Sequence, residues 1–277
     1  MPTEQIARSL AFINWTVLVG LAVGTFAAVV VARYRTEATS GFLRFSSFAA
    51  GAFAVLAVLS DGALPVPGVG APIVAAPGLD GSRRALLVAF AACAFVYGIV
   101  VRRRRIGAIV AALGLATGFG AIAIGAYGWA GGFPAAGPLL VELTALALAT
   151  GGVFAAMILG HWYLVTPRLP NGPLLLVSRL LLLVVGVQLV LFVVWLSTGT
   201  GIGLRPFEAL VGPWAFFVWM RLLVGLLFPL ALSWAAIQTA RTRSMESATG
   251  LLYIDVGAIA VGTILAAGLF FGVGLLV

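Results

Sequence analysis

The sequence has no lysine, one cysteine and one histidine among its 277 residues. It is also short of charge, with 9% charged residues against roughly 25% in a soluble domain. Each shortage removes a class of function. A single thiol, Cys93, excludes an intrachain disulfide, a CxxC redox pair and a multi-thiolate metal site. A single imidazole, His161, excludes bis-histidine haem ligation within the chain. His/Met ligation would draw on Met157, Met220 or Met245, and Met157 lies one helical turn from His161, so those two cannot face each other across one haem. Neither haem nor metal is expected in this chain. No Walker, HExxH or GxSxG pattern occurs. Acidic residues are scarce as well, 8 against 16 basic ones, all arginine.

What is present is apolar sequence: 62% hydrophobic residues and a mean hydropathy of +1.18. Apolar runs of about 18 residues or more recur along the chain, the length that crosses about 30 Å of hydrocarbon. Backbone groups in lipid must be paired internally, so the runs are helices or barrel strands. They are continuous and lack a two-residue alternation, which excludes a barrel. The fold class is therefore all-α: a polytopic membrane protein with eight transmembrane helices, at about 10–32, 43–60, 85–101, 106–129, 138–164, 174–196, 214–240 and 248–273. The first run lacks a cleavage site and a basic n-region and reads as a span, not a signal peptide.

The net charge of +8 does not indicate nucleic acid, because the arginines sit in short connections. Arg33, Arg35 and Arg44, then Arg102 to Arg105, Arg168, and Arg241 with Arg243 follow the odd-numbered spans, and Arg179 lies on the same side. Arg8, Arg83, Arg84, Arg205 and Arg221 fall on the other side. The positive-inside rule then places both termini outside, in a bacterial plasma membrane. The Pro/Gly-rich segment 61–84 and the segment 197–213 become outer connections, and 61–84 reads as neither a span nor a regular helix. Trp129, Trp195, Trp214 and Trp219 fall near outer ends, as an aromatic belt would.

The chain also resembles itself. Gly24-Thr-Phe-Ala-Ala aligns with Gly152-Val-Phe-Ala-Ala, and Arg44, Arg84 and Arg104 fall opposite Arg179, Arg221 and Arg241 once the offset is allowed to drift. Two tandem four-helix units, 1–130 and 131–277, would have the same orientation, unlike the inverted repeats of many transporters. Small residues at Gly20, Gly24 and Ala28, and at Ala258, Gly262 and Ala266, are helix-packing faces.

Polar groups inside spans are the candidates for chemistry. One set belongs to the arginine-rich edge: His161 and Tyr163 in the run Gly160–Arg168, then Arg179, Gln238, Tyr253 and Asp255. Such donors and a titratable imidazole suit a proton-linked quinone head-group site. The competing reading has the aromatic side chains as interfacial anchors and Asp255 as the partner of Arg179. The second set lies toward the outer edge: Asn14, Glu142, Glu208 and Arg221, with Arg221 pairing Glu142 or Glu208. Gln188 is read as interhelical glue, and the midplane is otherwise bare.

The segments Arg221-Leu-Leu-Val-Gly-Leu-Leu and Gly262-Thr-Ile-Leu-Ala-Ala-Gly268 are loosely similar to the closing helices of the NrfD/DmsC-type quinone-interacting membrane anchor subunits. The eight-span layout in two four-helix units resembles the same group. That resemblance implies a subunit of a respiratory or electron-transfer complex that interacts with quinone and works with redox partner subunits in the bilayer. Two other readings stand beside it: a structural or assembly subunit without a ligand site, and a small-molecule or ion transporter.

Overall fold

A computed structural model describes residues 9–68, 70–166, 168–200 and 205–277. Arg8, Pro167 and residues 201–204 of the second long connection lie outside the described residues. The chain is 82% helix, and no strand occurs among the described residues. Among the described residues, eight helices are long and apolar enough to cross a membrane: α1 Leu10–Arg35, α2 Ser40–Gly62, α3 Pro77–Val100, α4 Arg104–Trp129, α5 Ala136–Val165, α6 Gly172–Thr198, α7 Ala215–Arg241 and α8 Met245–Val273. This is a multi-pass membrane protein. One face of the bundle carries the 63–76 loop and is called the loop face. The other is the arginine-rich face.

Local chemistry sets the helix ends. Thr39 caps α2 by accepting the amide of Phe42. Proline opens α3 and α6 in the first turn, where its missing N–H has no intrahelical partner to lose. Gly199 and Gly274 close α6 and α8 in the left-handed conformation, with φ of 63° and 78°. Helix α3 begins at Pro77, eight residues before the span expected at 85, so residues 77–84 of the outer connection are helical. The proline content that marks 63–76 as loop stops at Pro77, and the polar turn beyond it is the amphipathic start of α3.

Neighbouring helices close two rings. Helix α1 touches α2 and α4, and α3 touches α2 and α4; α5 touches α6 and α8, and α7 touches α6 and α8. The rings meet along α1 and α5, and α5 is the most buried of the eight. The crossing of α1 and α5 is backbone on backbone. A Cβ at Gly24 would overlap the carbonyl of Ala147, and one at Gly151 would overlap the backbone of Gly24 and Thr25. Thr25 Oγ1 donates across this crossing to Gly151 O at 3.2 Å. Helix α1 widens there into a π turn at Gly20–Gly24. Helix α7 does the same at Leu223–Leu227, where Gly225 packs on Gly262 of α8.

The midplane is less bare than expected. Thr150 of α5 and Thr263 of α8 share a 2.8 Å hydroxyl hydrogen bond, both side chains buried. Hydrogen bonds of this kind inside bilayers average about 0.6 kcal/mol. Thr150→Val is therefore expected to cost about 0.6 kcal/mol in a detergent unfolding titration. A loss above about 2 kcal/mol would mean that the pair carries more than this contact.

Candidate functional site at the loop face

The most complete polar site lies where the last turn of α2 meets the first turns of α3. Asp61 is buried, and its carboxylate accepts from Trp15 Nε1 at 3.0 Å, Arg83 Nε at 2.6 Å and Arg84 Nε at 3.3 Å. Arg83 is buried too; its NH1 lies 2.9 Å from Asp80, and its guanidinium sits 5.0 Å from the ring centroid of Trp129. Two arginines and two aspartates leave the cluster neutral, so the buried Asp61 and Arg83 offset part of each other's desolvation cost. Below it lies an aromatic layer. Trp129 packs edge-on against Phe12, Trp15 and Phe271, and Phe12 stacks on Phe271 at 5.2 Å. The Val74 amide donates to the Trp129 carbonyl at 3.0 Å and pins the loop to the top of α4.

Two cavities remain between loop and layer. One, of about 180 Å³, is lined by Asp61, Asp80, Arg83, Arg84, Phe12 and Trp129. The other, of about 300 Å³, lies between residues 65–68 and 70–73 of the loop, Phe12 and Phe271. In the sequence Arg83 and Arg84 read as topology markers, Arg84 also as the repeat counterpart of Arg221, and Asp61 only as part of an outer connection. The signal was an acidic residue ending one span and two basic residues opening the next, across one connection. Trp129 is buried in this site and Trp195 points inward, so neither belongs to a lipid-facing belt; Trp219 is exposed.

The other outer candidates divide. Arg221 is buried in α7 and pairs with Glu142 of α5, NH2 to Oε1 at 3.8 Å, and not with Glu208, which is exposed and accepts from the Arg205 amide. Its NH2 also donates to Gln188 Oε1 at 2.8 Å, and its Nε donates to Val277 O at 3.3 Å. The αL turn at Gly274 makes the last contact available by folding residues 275–277 back against the bundle. NH1 donates to Gly225 O at 3.2 Å. Pro229 explains that vacancy: four residues on, it has no amide to close on Gly225. Gln188 is more than glue between two helices, since its Nε2 also donates to Ala145 O. Asn14 is exposed and donates to Ser60 Oγ, beside the Asp61 site.

The set expected at the arginine-rich edge does not form one cluster. His161 and Tyr253 meet, Nδ1 to hydroxyl at 3.5 Å, both exposed. Tyr163 is buried and donates to Pro170 O. Gln238 accepts from Arg241. Arg179 is exposed and Asp255 is buried, so the pair expected between them does not exist; Asp255 accepts instead from Ser233 Oγ of α7 at 2.7 Å. Helical phase is the reason. Residues 253 and 255 point about 200° apart on α8, so Tyr253 and Asp255 cannot share a site.

The chain matches no protein-family model, no curated protein and no solved structure.

Proposed function

We propose that the chain is the integral membrane subunit of an electron-transfer complex, and that it takes a quinone head group in the cavity under the 63–76 loop. The loop face and both termini are then outside a bacterial plasma membrane, and the arginine-rich face is inside. The observation that carries this reading is the paired cavity itself, floored by Phe12, Trp129 and Phe271 and edged by the Asp61–Arg83–Arg84 network. A quinone brings a flat apolar ring, two carbonyl acceptors and two-electron, two-proton redox chemistry. The aromatic layer offers the ring a stacking surface. Arg84, half-exposed at the cavity wall, has N–H groups to spare for a carbonyl. Asp80, half-exposed beside Arg83, can pass protons to water at the loop face. Electrons come from a redox partner subunit, in keeping with the resemblance to NrfD/DmsC-type anchors in span number and closing helices.

A second reading, a structural or assembly subunit, is favoured by the saturation of Asp61, whose two carboxylate oxygens already hold three donors. A binding titration separates the two. A short-tailed quinone added to the purified chain is expected to quench tryptophan fluorescence saturably, with Trp129 in the cavity wall. Arg84→Ala is expected to weaken that binding at least about 10-fold, the loss of one hydrogen bond to a charged donor, while leaving thermal unfolding unchanged. A wild-type chain with no saturable quenching, or an Arg84→Ala chain that binds like it, would hand the case to the structural reading.

A further inference from the structure

Helices α5–α8 hold polar groups that the loop-face cavity does not use. They bury Glu142, Arg221 and Asp255, whereas α1–α4 bury no carboxylate or basic side chain other than Asp61 and Arg83 at the loop face. Ionisable groups inside hydrocarbon are costly and mark ion or proton pathways more often than packing. Their depths follow from the helical rise of 1.5 Å per residue. Glu142 and Arg221 lie about 9 Å along the axis from Ala136 and Ala215, the loop-face ends of α5 and α7. Gln188 and Thr263 lie about 15 Å from the corresponding ends of α6 and α8, and Thr150 about 21 Å from Ala136. Ser233 and Asp255 lie about 27 Å down α7 and α8, and Ser178 about 30 Å down α6. Thr150 and Thr263 touch, so they form one level, about 12 Å along α5 from Glu142 and about 12 Å along α8 from Asp255.

The rungs are joined in part already. Trp195 Nε1 donates to Glu142 Oε2 at 3.2 Å, and Arg221 links Glu142 to Gln188. Thr150 and Thr263 pair, as do Ser233 and Asp255. Of the six buried side-chain atoms without a hydrogen-bond partner among the described residues, three belong to these helices, Glu142 Oε1, Asp255 Oδ1 and Ser178 Oγ; the others are the hydroxyls of Ser46, Ser47 and Tyr97. Glu142 Oε1 faces Arg221 NH2 at 3.8 Å, beyond direct hydrogen bonding. Asp255 has no ion-pair partner among the described residues. Two carboxyls, each with one oxygen open, at about 9 Å and 27 Å depth are more than a packing contact requires, because packing alone is served by fully paired groups.

We propose that α5–α8 form a proton-transfer path between the two faces, with Asp255 and Glu142 as the groups that carry the proton. Asp255 Oδ1 takes a proton delivered from the arginine-rich side at the level of Ser178 and Ser233. The Thr150–Thr263 hydroxyl pair relays it through bridging water, since the steps exceed direct hydrogen-bond length. Glu142 Oε1 receives it and returns it to the loop face, and each transfer moves one proton between oxygen atoms. Arg221 is a positioning residue that holds Glu142 and compensates its charge. His161 and Tyr253 lie on the far side of α8 from Asp255 and take no part.

The test uses the full chain in liposomes of neutral lipid. A potassium gradient with valinomycin drives protons inward, and an internal dye reads the rate. The wild-type chain is expected to acidify the lumen at least about 100-fold faster than protein-free vesicles, the lower end of what one positioned proton-transfer group contributes. Asp255→Asn keeps an acceptor for Ser233 but cannot carry a proton, and is expected to fall to the protein-free rate with unchanged thermal unfolding. If that variant fails to fold, dicyclohexylcarbodiimide treatment of the wild-type chain replaces it, with modification at Asp255 read by mass spectrometry and the rate falling in proportion. Wild-type vesicles no faster than protein-free ones, Asp255→Asn at the wild-type rate, or labelled Asp255 with undiminished flux would each overturn the path. No quinone enters the assay, so its outcome is separate from that of the loop-face site.

Discussion

Replacing Asp61 with alanine is expected to lower the unfolding free energy by about 3 kcal/mol, the lower end of the range for breaking a buried charge pair from one side. The carboxylate is buried and serves α1 through Trp15 and α3 through Arg83 and Arg84. Its removal leaves the buried Arg83 guanidinium with Asp80 as its remaining carboxylate and with the face of Trp129. Asp80 cannot replace it, because its side chain is 48% exposed and an exposed ion pair is worth about 1 kcal/mol or less. Arg84 is 46% exposed and can turn to water, so it adds little to the loss. The effect therefore stands on Arg83 and the Trp15 N–H. Asp80→Ala is the paired control, with an expected cost below about 1 kcal/mol. Denaturant titration of both variants in one detergent reads the difference, and equal costs would show that the Asp61 cluster does not hold the loop face together.

The eight spans were legible because each is a continuous apolar run of membrane-crossing length, a property of composition that needs no tertiary contact. The pairing of Arg221 with a carboxylate was legible for a related reason: a guanidinium inside hydrocarbon must find a carboxylate, and few are available. Choosing Glu142 over Glu208 was not, since that choice turns on which residue faces inward. Phase likewise defeated the grouping of Tyr253, Arg179 and Asp255. They lie at similar depth, but adjacent helical positions differ by about 100°, so Ser178 is buried while Arg179 is exposed. The Asp61 site was missed because its three donors come from two other helices, and the 63–76 loop that returns α3 to α2 shows only as a Pro/Gly tract in sequence. The self-alignment met the same limit. It sets Gly24 opposite Gly152, yet a Cβ at Gly152 would make only an ordinary contact with Leu181 at 3.8 Å, and Gly151 is the position with no room.

That difference leads to the other large effect expected, at the α1–α5 crossing. Gly24→Val should cost about 3 kcal/mol, the upper part of the range for overpacking a core. The obstacle to a side chain at residue 24 is the Ala147 carbonyl and the Gly151 backbone, not a flexible side chain that can turn away. Relief requires α1 and α5 to separate, which breaks the Thr25 to Gly151 hydrogen bond and opens apolar contact along both helices. In lipid this loss is not recovered by solvation, because helix association there rests on close packing and not on a hydrophobic drive. Gly186→Val in α6 is the matched control: nothing lies within 4 Å of a Cβ there, and the substitution is expected to change stability by less than about 1 kcal/mol. Gly152→Val should fall between the two. The order Gly24 above Gly152 above Gly186 is read by thermal unfolding in detergent, and a Gly24 variant as stable as the Gly186 variant would refute the crossing. Because this crossing joins the ring that carries the loop-face cavity to the ring that carries Asp255 and Glu142, the Gly24 variant is also the one expected to disturb both sites at once while altering no polar residue in either.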